Sequence, residues 1–208
     1  MNDFIEVPAS KMSLAKRKPV FGIGINDASY IIGQGESVCP CYRRWANMLR
    51  RCYSVTELKK NPTYSGCSVC DEWLIFSNFK DWMLNQEWEG MDLDKDLLIQ
   101  GNKVYSPEFC IFVPHSLNSL FLDCGSKKGE WPKGVYFDKA RRKFKAKCSV
   151  DGMSKELGRF VNVESAIDAY QKFKSAHIKE VAQEYKSNKR LYDALIERSK
   201  QHLHPESL

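Results

Sequence analysis

Three sets of side chains in this sequence stand at spacings that could do chemistry. The first is thiol. Cys39-Pro40-Cys41 and Cys67-Ser68-Val69-Cys70 form two close pairs, with Cys52 and Cys110 as possible substitutes. Four thiolates so placed match the tetrahedral sulfur set that zinc takes. The preferred reading is buried free thiols, because reduced cysteine packs as a small apolar group. The second set is carboxylate: Asp92, Asp94 and Asp96 alternate with Leu93 and Lys95. On a strand, alternate residues share one face, so this is at least a charged edge. The third set is ammonium. Lys143, Lys145 and Lys147 alternate with Phe144, Ala146 and Cys148, and Ser149 with Val150. One face of such a strand is apolar and can pack on a helix, while the other presents a row of cations suited to phosphates.

The charge count makes the third set the strongest. Between Lys133 and Phe160 there are nine Lys or Arg (133, 139, 141, 142, 143, 145, 147, 155 and 159) and three acids (138, 151 and 156). That local excess of six equals the net charge of the whole chain, so the basic character belongs to this one element. An ordinary solvated face mixes signs. Gly22-x-Gly24, by contrast, lacks the third glycine and the following helix of a dinucleotide fingerprint.

The elements that must position these groups follow from periodicity. At 208 residues, 43% hydrophobic and 12% aromatic, the chain has material for two small folded domains. Residues 1–38, with Lys16-Arg17-Lys18-Pro19 and several glycines, read as an arm with turns. A helix begins near Tyr42, with Trp45, Met48, Leu49 and Cys52 on one face and Arg43, Arg44, Arg50 and Arg51 elsewhere around it, as a plain solvated face or a backbone-contacting one. Asn61–Gly66 is a loop, and Trp73, Phe76, Phe79, Trp82 and Met83 form a second apolar stripe. Residues 91–122 read as strand (91–98), loop, strand (109–114) and a short helix from His115, with Pro114 at its start. Cys124–Trp131 reads as a linker. Three short strands follow, then a helix capped by Asn162 and carrying Ala166, Ile167, Tyr170, Phe173, Lys174, His177, Ile178 and Val181 on one stripe. Residues 186–204 read as a polar, exposed helix whose only apolar contacts are Tyr192, Leu195 and Ile196. No apolar run approaches a membrane span, and Met1–Glu6 shows no secretory pattern. Reduced thiols in a cytosolic protein are therefore expected.

Two family resemblances attach to these segments. Gly134-Val135, the basic strand, Leu157-Gly158-Arg159-Phe160 and Ala166…Ala169-Tyr170 resemble the AP2/ERF-type DNA-binding domain, a three-stranded sheet on a helix. Such domains often set a tryptophan from the strands on DNA, and these strands have none. The resemblance implies Lys133, Arg141, Arg142, Lys143, Lys145, Lys147, Lys155 and Arg159 as DNA-binding residues. The second resemblance is to the ββα-metal core of HNH endonucleases, in the phage homing branch. It rests on Leu93-Asp94-Lys95-Asp96, Asn102-Lys103-Val104-Tyr105-Ser106-Pro107-Glu108, Cys110 and Asn118. It extends upstream to Trp45-x-x-Met48-Leu49-x-Arg51-Cys52-Tyr53, Gly66-Cys67-Ser68-Val69-Cys70-Asp71-Glu72-Trp73 and Phe76-x-x-Phe79. It implies catalytic positions at Asp94, Lys95 and Asn118, and a divalent metal held by Asp94 with Asn118 or His115. Two positions depart from the pattern: Lys95 stands where the catalytic histidine belongs, and Phe109 where a loop-fixing asparagine belongs. A lysine with an ordinary pKa is protonated at neutral pH and is no general base.

The expected fold is α+β: an N-terminal arm (1–20), an HNH-like ββα-metal domain (21–124), an AP2-like three-stranded antiparallel sheet packed on a helix (130–185), and a polar C-terminal helix or tail (186–208). The expected function is a homing-like phage endonuclease that cleaves double-stranded DNA with Mg2+ or Mn2+ in the cytoplasm of an infected bacterium. The alternative is a cleavage-deficient DNA-binding, host-takeover or anti-defence protein on the same scaffold.

Overall fold

The computed structural model describes residues 4–34, 37–121, 130–150 and 152–203. The chain is α+β and divides into two units, Met1–His115 and Ser116–Leu208. The Cys124–Trp131 linker, apart from its last two residues, lies outside the described residues, as do Leu122, Asp151 and His204.

In the first unit the elements run α1 (Lys11–Ala15), β1 (Gly33–Gln34), β2 (Ser37–Val38), α2 (Pro40–Tyr53), α3 (Val55–Lys60), β3 (Ser68–Val69), α4 (Phe76–Leu84), β4 (Met91–Asp94), β5 (Val104–Tyr105) and β6 (Ile111–Pro114). Helix α5 (His115–Phe121) starts at the boundary between the units. Pro40 opens α2, where its missing N–H costs nothing. Cys41, Trp45, Met48, Leu49 and Cys52 form the buried face of α2. Trp45 is fully buried and donates its indole N–H to the Trp73 carbonyl at 2.7 Å, so its one polar atom is satisfied. Trp73 belongs to a 3-10 turn, Asp71–Leu74, and Phe76, Phe79 and Met83 of α4 complete the core.

The N-terminal stretch is not the loose arm that its glycines and lysines suggest. Ala9 donates to Ser29 and Ile31 to Val7 across a bridge at Pro8 and Tyr30. The Arg17 guanidinium reaches the carbonyls of Asn26, Ala28 and Tyr30. Asp27 accepts from the Ser77 amide at 2.9 Å, satisfying a donor at the start of α4 from far away in sequence. Gly24 is a packing glycine: a Cβ there would stand 2.3 Å from the Leu49 side chain.

Strands β4 and β6 pair antiparallel, with Asp92 opposite Val113 and Asp94 opposite Ile111. Strand β4 is shorter than its pattern suggests, because the chain turns at Asp94. Pro114 ends β6 rather than opening α5. Part of the stretch read as a loop forms β5, which pairs in parallel with β3.

The second unit holds β7 (Val135–Asp138), β8 (Lys143–Val150), β9 (Met153–Phe160), α6 (Val163–Ala182) and α7 (Lys189–Gln201). The sheet is antiparallel, in the order β7-β8-β9. Val135, Ala146 and Cys148 pack on Ala166 and Tyr170 of α6, with Phe144, Leu157 and Phe160 around them. Trp131 joins this core, its ring 4.8 Å from that of Phe144, so it is not linker. Asn162 caps α6, accepting from the Ser165 amide at 2.9 Å. Helix α7 is not the exposed helix that its polar composition suggests. Leu191, Leu195 and Ser199 recur every four residues, and this buried stripe packs on α6.

Gly134 starts the sheet at φ +80°, and a Cβ there would come 2.2 Å from the Tyr170 ring and 2.8 Å from the Lys147 carbonyl oxygen. Both left-handed strain and overpacking oppose a side chain. Gly134→Ala is therefore expected to destabilise this unit by about 3 kcal/mol. Denaturant unfolding checks it, and an unchanged midpoint would contradict the packing described.

Candidate functional site

Register decides what the outer face of the sheet carries. Lys143, Lys145 and Lys147 of β8 point away from the α6 core. Lys145 has Tyr136 opposite it on one side and Arg159 on the other, while Asp138 faces Lys143 and Glu156 faces Lys147. The register shifts between Ala146 and Lys147, which brings Glu156 onto this face. The face is therefore not the purely cationic row expected. Lys145 pairs with Glu156 at 3.2 Å, and Arg159 with Glu156 at 2.8 Å and Asp138 at 3.6 Å. Lys143 and Lys147 make no ion pair among the described residues. Exposed pairs of this kind are worth about 0–1 kcal/mol, so a phosphate can displace the carboxylates.

At the hairpin tip, Arg141 and Arg142 are exposed, with Arg142 at φ 51°. The Arg141 amide donates to Asp138, which holds that carboxyl below its usual range. Lys133 is exposed in the turn before β7. Lys155 does not belong to the row. It stands opposite Cys148 on the helix side, its ammonium 4.8 Å from the centre of the Phe173 ring. Tyr136, 56% exposed amid these lysines, offers the aromatic surface that no strand tryptophan supplies. Its place opposite Lys145 was the available signal, but it required the register.

In the first unit, Asp94 and Lys95 form a closed turn. Asp94 Oδ1 accepts from the Asp96 amide at 2.8 Å and the Leu97 amide at 2.6 Å. Burial, then the Asp96 carboxylate, push the Asp94 carboxyl above its usual range. The Lys95 ammonium is buried. It donates to Asp96 at 2.9 Å and to the Asn102 carbonyl at 3.0 Å. Asn102 returns its side-chain amide to the carbonyls of Lys95 and Val104 at 2.6 and 2.7 Å. Lys95 thus spends its donors inside the protein and does not face a substrate. Asn102 thereby ties the two ends of this turn together. Lys95→Met should destabilise the protein by about 1 kcal/mol, since it strands a part-buried carbonyl. Thermal or denaturant unfolding measures this, and a neutral effect would contradict the clamp.

His115 does not meet Asp94. Its Nδ1 lies 2.7 Å from Asp92 Oδ2, and Arg44 approaches the other oxygen of Asp92 at 3.9 Å. Neither Asp92 nor Arg44 has a role that the HNH resemblance implies. Their association comes from β4–β6 pairing and the packing of α2, neither visible in local spacing. The His115 side chain is 77% exposed, and Asn118 follows one turn later on α5. The donor chemistry at Asp94 suits one ligand of a divalent cation. It is a half-buried carboxylate beside a second carboxylate, and its Oδ2 receives no backbone donor among the described residues.

The cysteines remain free thiols among the described residues, and Cys124 lies outside them. Cys39 and Cys41 contact each other, and Tyr30 Oη lies 3.7 Å from Cys39 Sγ. The Cys41 thiol, donating to Cys39, holds Cys39 down at about 6 and is itself raised. Burial pushes Cys52 up to about 12, with Cys67 close by. No three His, Cys, Asp or Glu side chains converge among the described residues in a way that would hold a metal ion. No family model, curated protein or solved structure matches this chain. Among the described residues no helix is long and apolar enough to cross a membrane.

Proposed function

We propose that the protein binds duplex DNA through the outer face of the β7–β8–β9 sheet, in the manner that the AP2/ERF-type resemblance implies. The observation that carries this reading is the row Lys143, Lys145 and Lys147 on the face opposite the core, flanked by Arg159 and the hairpin-tip arginines. A two-stranded or three-stranded sheet can enter a major groove, and cations along it neutralise phosphates. Each phosphate neutralised adds about 0.9 to the salt slope of binding, so four to five contacts give a slope of roughly −4. Fluorescence anisotropy with a labelled mixed-sequence duplex, repeated across salt, tests this. No binding at low salt would end the reading.

A second reading, cleavage by an HNH-type phage homing endonuclease, is favoured by one observation. The strand–strand–helix order of β4, β6 and α5 sets Asp94 near the end of one strand and His115 at the start of the helix. Asp94 would hold magnesium or manganese there. Such an ion supplies charge stabilisation at the phosphate. Asp92 would fix the His115 ring through Nδ1 and leave Nε2 directed elsewhere. Lys95, locked in its turn, takes no part. That inward lysine favours the binding reading over the cleaving one, and with it a regulatory, host-takeover or anti-defence role in the cytoplasm of an infected bacterium.

A further inference from the structure

Helix α2 carries four arginines and no acid in its fourteen residues. Its core face takes Cys41, Trp45, Met48, Leu49 and Cys52. On the opposite side Arg43, Asn47 and Arg50 lie at i, i+4 and i+7, one stripe along the axis, with Arg44 in the stripe beside it. Arg51, next in that second stripe, turns inward, its guanidinium 5.5 Å from the centre of the Tyr64 ring. The helix dipole favours cations at the C-terminal end, which accounts for Arg50 and Arg51. It gives nothing to Arg43 and Arg44, which stand close to the N-terminal end. Arg43 is exposed and has no ion-pair partner among the described residues. Arg44 has Asp92 only at 3.9 Å, and Arg50 has Glu57 at 3.6 Å with half of its own side chain exposed. Cations gathered on one face, against the dipole at one end and loosely paired, match a polyanion rather than a solvated surface of mixed sign.

We propose that this face of α2 is a second DNA-contacting surface, on which Arg43, Arg44 and Arg50 hold backbone phosphates of duplex DNA. The inference rests on the reading that the protein binds DNA. From Arg43 to Arg50 the stripe extends ~10 Å along the helix axis. A duplex carries a negative charge roughly every 1.7 Å of its own axis, so a stripe of that length meets phosphates in any register and reads no sequence. Guanidinium groups suit the task, because their planar fork bonds phosphate in a bidentate way.

The test is the salt dependence of duplex binding by the full chain. Arg43→Ala with Arg50→Ala should lower affinity about tenfold near 0.1 M salt and reduce the magnitude of the salt slope by about 2. Arg43→Lys with Arg50→Lys should restore most of both. Arg43→Glu alone, at an exposed residue that holds nothing in place, serves if the double variant is unstable, and should also lose affinity. An unchanged slope and affinity in these variants, alongside lost binding when Lys145 and Lys147 are reversed in charge, would overturn this proposal and leave the sheet as the binding face. A wild-type chain that binds no duplex would overturn both.

Discussion

Exchanging Lys145 and Lys147 for glutamate together is expected to lower duplex affinity by ~100-fold or more near 0.1 M salt, with the fold intact. Two phosphate partners become two repelling charges at the middle of the row, and each contact is worth close to one power in the salt dependence. Both side chains lie on the outer face, so Ala146 and Cys148 keep their packing on α6. The structural cost is the lost Lys145–Glu156 pair, 3.2 Å long and partly exposed, and the repulsion of Glu156 by a carboxylate at position 147, each worth about 1 kcal/mol at most. Glu156→Gln is expected to act in the opposite sense. It releases Lys145 and Arg159 and removes a negative charge from the face, so affinity should rise a few-fold. Anisotropy titrations, with circular dichroism as a check on folding, measure both. Unchanged affinity in a folded Lys145→Glu/Lys147→Glu protein would sink the sheet as the binding face.

The second large effect concerns cleavage. With Mg2+ or Mn2+ and duplex DNA, any strand breakage by the wild type should fall by ~100-fold or more in Asp94→Asn. Asparagine is the informative replacement here. Its side-chain carbonyl can still accept from the amides of Asp96 and Leu97, so the turn survives while the charge is lost. Asp94→Ala removes the acceptor as well and strands two amides, at a cost of about 2 kcal/mol, which would confuse lost chemistry with lost structure. Breakage that persists in a folded Asp94→Asn protein would place the chemistry elsewhere. If the wild type makes no breaks, the endonuclease reading fails and DNA binding stands alone.

Most of the framework was legible because it rests on local patterns. The alternation in β8, the Asn162 cap and the apolar face of α2 all follow from side-chain period and capping chemistry, and each stands in the structure. What escaped depends on pairing between distant segments. The acids on the outer sheet face follow from the register shift at Ala146 and Lys147, which no spacing announces. The inward lysine at position 95 needs Asn102, seven residues on, to receive it. The ties of residues 7–31 run through a guanidinium and backbone carbonyls, groups that carry no hydrophobic period. Helix α7 was misread because its composition is polar, whereas one narrow stripe of Leu191, Leu195 and Ser199 suffices to dock it. The His115–Asp92 contact joins β4 to the residue that follows β6, and became visible only with the antiparallel register of those strands.

The central claim is that DNA lies against the outer face of the β7–β8–β9 sheet, and amide chemical-shift mapping of the full chain during titration with a short duplex tests it most directly. The expected result is perturbation concentrated at Tyr136, Lys143–Lys147 and Ser154–Arg159, with the core-facing positions of α6 little changed. Perturbations confined to other surfaces, or none at a DNA concentration that saturates binding, would contradict it.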